Sequence, residues 1–184
     1  MNSWCEEFEP GDFVPVFLPF LTASNVNPLA RAAFIGLDAS HTRHHMLRSV
    51  YEGIVYSHRW HLDRLMDTRD SKDAVIRLAG GVARSKAWTQ MFADVMNLPV
   101  ETVDVGETGA LGCAIAIAAA VGDYKSVTDA ADHMCRINEA ILPRQWAHDE
   151  YEKKYQLYRK VIDALDGVWA DMQNIIDKNG QVSV

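Results

Sequence analysis

Hydrophobic positions recur every three or four residues in two long stretches of the chain. The first stretch begins at a helix-capping residue, either Ser40 or Thr42, and runs to about Leu65. The second covers residues 151–176. Because this spacing places apolar side chains on one face of an α-helix, both stretches are predicted to be long amphipathic helices. We expect the second helix to pack on its own domain, and a coiled-coil partner is the alternative.

Short apolar runs between these helices predict β-strands. Residues 74–79 form one run, which stops at two glycines and predicts a buried strand, and residues 100–105 form another. Residues 14–21 are also apolar but contain Pro15 and Pro19. Since proline cannot donate a hydrogen bond to a sheet, this third run predicts an edge strand or an extended buried segment.

Three further helices are predicted. Helical patterns cover residues 29–37 and 88–96, and the small-residue run 110–120 is predicted to be a buried core helix that ends at Gly122. That run is shorter than the ~20 apolar residues that a membrane span requires, so no membrane partner is expected. Strands that alternate with helices indicate an α/β fold, with helices packed on a small sheet. Because the sequence contains no linker pattern, residues 1–184 are predicted to form a single domain.

Composition and charge narrow the classes of partner. Hydrophobic residues make up 48% of the 184 residues and charged residues 23%, which is typical of a globular protein. The net charge of -7 and the absence of a Lys/Arg run argue against nucleic acid. Cys5, Cys113 and Cys135 form no C-x-x-C pattern and are expected to be free thiols. Without a secretory signal pattern, the chain is expected to be cytoplasmic.

Gly80-Gly81 follows the predicted strand 74–79 and precedes a helix. Glycines at such a turn let the backbone approach a phosphate, although many α/β proteins have glycines there for steric reasons alone. Two common phosphate motifs do not fit: Ser85 stands where the P-loop needs its second glycine, and the G-x-G-x-x-G fingerprint is absent.

Three longer stretches carry a resemblance to a known family. Residues 78–100 (LAGGVARSKAWTQMFADVMNLPV) resemble the adenosine-binding motif of the FGGY carbohydrate kinases, and residues 107–114 (ETGALGCA) resemble the segment that follows it. Residues 32–52 resemble that family's second signature. Residues 17–21, with Ser24-Asn25, are most similar to the L-xylulose kinase branch.

The resemblance implies an actin-like, ribonuclease-H-type ATPase domain that works with ATP and Mg²⁺ as cofactors. It implies transfer of the ATP γ-phosphate to a hydroxyl of a sugar, of pentulose type. By motif position, Gly80 and Gly81 would lie close to the nucleotide phosphates and ribose. Val82 and Ser85 would contact the adenosine.

The chain departs from the family in what it lacks. The catalytic-base aspartate and the amino-terminal phosphate motif are expected in a part that precedes Met1, so no catalytic residue is assigned, and Asp94 is expected to brace its helix. His41 and His45 invite a metal site, but no acidic residue completes it at helical spacing. Residues 1–184 are therefore predicted to be an incomplete carboxy-terminal domain of a sugar kinase, inactive alone. The alternative is a stand-alone nucleotide-binding or homo-oligomerising module without catalysis.

Overall fold

The computed structural model describes residues 7–24, 27–68 and 74–178. The predictions for Cys5 and Asn25 lie outside these residues. In chain order the elements are β1 (Val16–Leu18), β2 (Ala33–Ile35), α1 (Arg43–Met66), β3 (Ile76–Leu78), a 3-10 turn (Gly81–Arg84), α2 (Lys86–Met96), β4 (Val100–Thr102), α3 (Thr108–Ala120), α4 (Val127–Met134) and α5 (Gln145–Lys178).

The chain folds into two compact units. The first unit combines residues 7–68 with residues 146–178, and the second consists of residues 74–145. Both long helices, α1 and most of α5, belong to the first unit. Their predicted positions are confirmed to within a few residues at each end.

In the first unit, β1 and β2 pair antiparallel and β1 packs against α1. The prediction of a helix over residues 29–37 is wrong, because β2 occupies residues 33–35 of it. Phe34 lies opposite Phe17 on β1, and their ring centroids are 4.6 Å apart. An aromatic residue that finds such a cross-strand partner is stabilised in a strand, which local helical spacing does not register.

The start of α1 is fixed by a reciprocal cap. The hydroxyl of Thr42 accepts a hydrogen bond from the backbone N–H of His44, and Nδ1 of His45 accepts one from the N–H of Thr42 at 3.2 Å. Thr42, and not Ser40, is therefore the capping residue. Ser40 instead donates its hydroxyl to the Asp38 carboxylate, at 2.6 Å.

Charged side chains join α1 to α5 inside the first unit. The buried Glu52 carboxylate accepts hydrogen bonds from Arg48, at 2.8 Å, and from Lys154, at 2.9 Å. Arg48 also donates to the Tyr151 hydroxyl at 2.6 Å. Burial lowers the pKa of Lys154, and the Glu52 carboxylate opposes that shift. Buried charges are tolerated only when they are paired in this way.

In the second unit, β3 and β4 pair in parallel, with Ile76 opposite Val100 and Leu78 opposite Thr102. Helix α2 packs against β4 and buries an apolar face that includes Met91, Phe92 and Val95. Along the edge of β4 that is not paired with β3, the backbone N–H of Val100 donates to Ile141 and the N–H of Ile141 donates to Val100. The two predicted strands and the helix between them are confirmed, and the strands are shorter than their apolar runs. The prediction that the first of these strands is buried is wrong, because Arg77 of β3 is exposed and Ile76 and Leu78 are only half-buried.

Helix α3 is present where expected, but the prediction that it is buried is wrong. Of its side chains only Ile115 is buried, while Ile117 is 62% exposed and Val121, just after the helix, 68%. Within the described chain, α3 packs mainly against α4, which the sequence analysis did not predict. The apolar composition of residues 110–120 predicted that other segments bury this helix, but it could not show which segments these are. No helix among the described residues is long and apolar enough to cross a membrane.

Gly53 is where α1 approaches β1 most closely, and it generates a test of this packing. A Cβ atom added at Gly53 would overlap the carbonyl oxygen of Phe17. We expect Gly53→Ala to lower the free energy of unfolding by about 2–3 kcal/mol, since a backbone atom cannot move aside cheaply. The control is Gly167→Ala in α5, where the new methyl group meets nothing within 4 Å. That substitution should raise stability by about 0.5–1 kcal/mol, because alanine is the better helix former. Urea unfolding followed by circular dichroism measures both, and equal effects would contradict the packing.

Candidate nucleotide site

Gly80 lies between the end of β3 and the 3-10 turn that leads into α2, and Gly81 is the first residue of that turn. This confirms the predicted strand-to-helix turn. Gly80 has φ 79° and ψ −152°, a conformation that side-chain-bearing residues rarely adopt. Gly81 does not have a positive φ. The conformational requirement for glycine therefore falls on Gly80 alone.

Packing does not explain either glycine. A Cβ atom built on Gly80 or Gly81 would meet nothing within 4 Å, and the backbone at both positions is exposed. Gly53, by contrast, is a glycine because Phe17 leaves no room for a side chain. Gly81 thus has neither a steric nor a conformational reason to be glycine inside the fold. An external group that approaches the backbone would supply one.

Ser85 ends the 3-10 turn and caps α2. Its hydroxyl oxygen accepts a hydrogen bond from the backbone N–H of Trp88 at 3.3 Å. Val82 lies within the turn and is partly exposed. These positions are compatible with the adenosine contacts that the resemblance implies, which stay predictions.

A second loop lies beside the turn at Gly80-Gly81, which is called the glycine loop below. Because β3 and β4 are parallel, the segments that follow them leave the sheet at the same edge. The segment after β4 contains Gly106 and Glu107 and leads directly into α3. Arg84 joins the two loops: its Nη2 donates to the Gly106 carbonyl oxygen at 2.5 Å and to the Glu107 carboxylate at 3.1 Å. The sequence analysis assigned no role to Arg84, although opposite charges shortly after two neighbouring strands were a usable signal.

Asp94 braces α2, as expected. It is completely buried, and its carboxylate accepts hydrogen bonds from the Arg144 backbone N–H at 2.8 Å and from the Arg144 guanidinium at 2.7 Å. Gln90 donates to the same carboxylate at 2.9 Å. These bonds attach the segment before α5 to α2 within the second unit. Arg144 was not identified from the sequence, because it lies far from Asp94 along the chain.

The histidines near the start of α1 have local partners. His45 closes the cap described above, and His41 lies 3.3 Å from the Asp38 carboxylate. Within residues 7–24, 27–68 and 74–178, no three His, Cys, Asp or Glu side chains converge as metal ligands. Cys113 and Cys135 are free thiols, as predicted.

An open pocket lies elsewhere, in the first unit, where β1 and the segment before it face α1 and α5. Its walls are mainly apolar, and they include Phe13, Phe17 and Tyr56. Its two charged groups, Glu52 and Lys154, pair with each other, and Glu52 also pairs with Arg48. The glycine in its lining, Gly53, lies inside α1 against the Phe17 carbonyl oxygen, so its backbone is not open to a phosphate. The glycine loop therefore remains the better candidate for nucleotide binding, on chemical grounds.

Comparison with known proteins supports the family that the motifs indicate. Residues 9–121 match the family model described as "FGGY family of carbohydrate kinases, C-terminal domain". This match covers more than half of the chain and includes the glycine loop and Glu107. The protein belongs to the FGGY family of carbohydrate kinases.

Individual relatives agree with this assignment. The chain is 41% identical over 154 residues to the L-xylulose/3-keto-L-gulonate kinase of Escherichia coli (strain K12), covering 84% of this chain and 31% of that protein. It is 32% identical over 165 residues to a probable L-xylulose kinase of Haemophilus influenzae, covering 90% of this chain and 33% of the relative. The crystal structure of xylulose kinase from Rhodospirillum rubrum matches with a TM-score of 0.75 at 26% identity, over 91% of this chain and 34% of that one. The predicted α/β fold, part of an actin-like ATPase, is confirmed, and the chain spans about a third of the length of these relatives.

The brace at Asp94 generates a stability test. We expect Asp94→Asn to lower the free energy of unfolding by about 2 kcal/mol, because the amide group replaces an acceptor oxygen with a donor that faces the Arg144 guanidinium. The matched control is Glu101→Gln. Glu101 forms a partly exposed ion pair with Arg77 at 3.0 Å, so its loss should cost less than about 1 kcal/mol. Chemical denaturation of the two variants gives the comparison, and equal losses would show that the buried brace is unimportant.

Proposed function

We propose that this chain is the nucleotide-binding, C-terminal portion of an ATP-dependent sugar kinase. Residues 1–184 would form one incomplete C-terminal domain of such an enzyme, to which both compact units belong. The observation that supports this most directly is the turn at Gly80-Gly81, where the backbone is exposed and Gly80 has a positive φ. It lies in a motif of the FGGY family, at the edge of a parallel strand pair where ligands of α/β proteins bind.

The reaction of the complete enzyme would transfer the γ-phosphoryl group of ATP to a hydroxyl of a sugar. Such transfers depend mainly on positioning and on stabilisation of charge. This chain would contribute the surface that receives the nucleotide: Gly80 and Gly81 would face the phosphates and ribose, and Val82 and Ser85 the adenosine. Mg²⁺, the divalent cation that such kinases use, would supply neutralisation of the charge on the transferred phosphoryl group.

The sugar is proposed to be a pentulose, of the L-xylulose type. The two relatives described above carry L-xylulose kinase in their names, and the match to each covers most of this chain. The residues that would bind the sugar are expected in the remainder of the enzyme. A cytoplasmic location is also proposed, because a sugar kinase would use the ATP of the cytoplasm.

We expect the isolated chain to show no sugar-kinase activity. No aspartate in it can be assigned as the base that accepts the proton of the sugar hydroxyl. The assay is ADP release from ATP with L-xylulose and D-xylulose, coupled to an indicator enzyme. A full-length relative serves as the positive control. Turnover by the isolated chain would show that it contains its own catalytic base.

We also expect the chain to bind ADP weakly, and Gly81→Val to reduce that affinity at least tenfold, or about 1.4 kcal/mol. The valine side chain would occupy the space that the nucleotide needs. Because a Cβ atom there meets nothing within 4 Å, the fold should be preserved. Gly167→Val, the same change in open space on α5, is the control and should leave ADP affinity unchanged. Titration calorimetry decides, and equal affinities in all three proteins would place the nucleotide elsewhere.

A further inference from the structure

Arg84 occupies a distinctive position between the two loops that follow the parallel strands. Its Nη2 atom contacts both the Gly106 carbonyl oxygen and the Glu107 carboxylate. The backbone of Arg84 belongs to the same four-residue turn as Gly81. One side chain therefore connects the proposed nucleotide loop to the start of α3.

Folding stability does not account for this arrangement. The side chains of Arg84 and Glu107 are 64% and 83% exposed. Exposed ion pairs contribute little to stability, because water screens them and two long side chains lose freedom. The contact is better explained by its effect on the charge of the surface on which a ligand would lie.

Charge gives a specific reason. A bare carboxylate at Glu107 would repel the phosphates of a nucleotide on the neighbouring loop, and Arg84 cancels that charge. A guanidinium has five N–H donors in a planar fork that suits phosphate oxygens. Both contacts of Arg84 use Nη2, so among the described residues its Nε and Nη1 donors have no partner.

We propose that Arg84 is the residue of this chain that recognises the nucleotide phosphates, with Glu107 and Gly106 holding its guanidinium in place. The proposal rests on the proposed function and adds to it a division of roles. The glycines leave room for the ribose and phosphates to approach the backbone, and Arg84 supplies the positive charge that responds to those phosphates. The contribution of Arg84 to affinity should therefore depend on the number of phosphates.

The test compares adenosine, AMP and ADP as probes of the 184-residue chain, titrated by NMR chemical shifts, which report millimolar affinities. We expect Arg84→Gln to weaken ADP binding on the order of tenfold, AMP binding less, and adenosine binding less than about twofold. Glu107→Gln removes one of the two groups that hold the guanidinium, and it should weaken ADP binding less than Arg84→Gln does, because the Gly106 carbonyl oxygen still accepts from Nη2 and one negative charge is lost. A purely structural role for Arg84 would weaken all three ligands alike.

Arg77→Gln is the matched control. Arg77 lies on β3, is 57% exposed and pairs at 3.0 Å with Glu101 on β4 rather than with either loop, so it reproduces the change in net charge without the contact between the loops. It should leave the affinities of all three ligands unchanged.

Two results would overturn the proposal alone: a loss for Arg84→Gln that is the same for adenosine and ADP, or an equal loss for Arg77→Gln. If the wild-type chain binds neither adenosine nor ADP, the proposed nucleotide function fails as well. The two failures are therefore distinguishable in the same set of titrations.

Discussion

The parallel pairing of β3 with β4 is the constraint on which the candidate site depends. Val100 is completely buried at the start of β4, with Ile76 opposite it and Met91, Phe92 and Val95 of α2 buried in the same unit. A shift of one residue would turn Val100 towards the other face of the sheet, so the register is strongly specified. With that register fixed, the segments that follow the two strands leave the sheet together. The glycine loop and the Gly106-Glu107 loop become neighbours for this reason, and Arg84 can reach across.

Much of the fold could be predicted because its signals are local. The helical spacing of α1 and α5, the cap at Thr42 and the glycines that end residues 74–79 are all properties of short segments. The two wrong predictions concern non-local properties. The stretch 29–37 became partly strand because Phe34 pairs with Phe17, and α3 is exposed because burial depends on what packs against it. Neither partner could be identified from the segment itself.

The site shows the same division in finer detail. The motif located Gly80 and Gly81. It could not show that the two positions differ in backbone conformation, which is visible only in the structure. Gly80 has a positive φ, whereas Gly81 has an ordinary conformation and open space around it. The sequence also contained both Arg84 and Glu107. That they meet at 3.1 Å follows from the parallel pairing of two strands that are separated by a whole helix, which no local pattern records.

Both units leave apolar side chains exposed, and in the second unit some of them lie on the helix that follows the candidate site. In the first, Glu52 is paired with two cations, and the tyrosines of α5 are buried against the rest of that unit. In the second, the sheet has two strands and α3 leaves apolar side chains uncovered. Parallel sheets are normally covered on both faces, and two strands alone are marginally stable. Because the chain spans about a third of the length of its relatives, the rest of a kinase would be expected to extend this sheet and cover α3. The glycine loop lies at the end of the same strand pair, so any segment that extended this sheet would also border the candidate site.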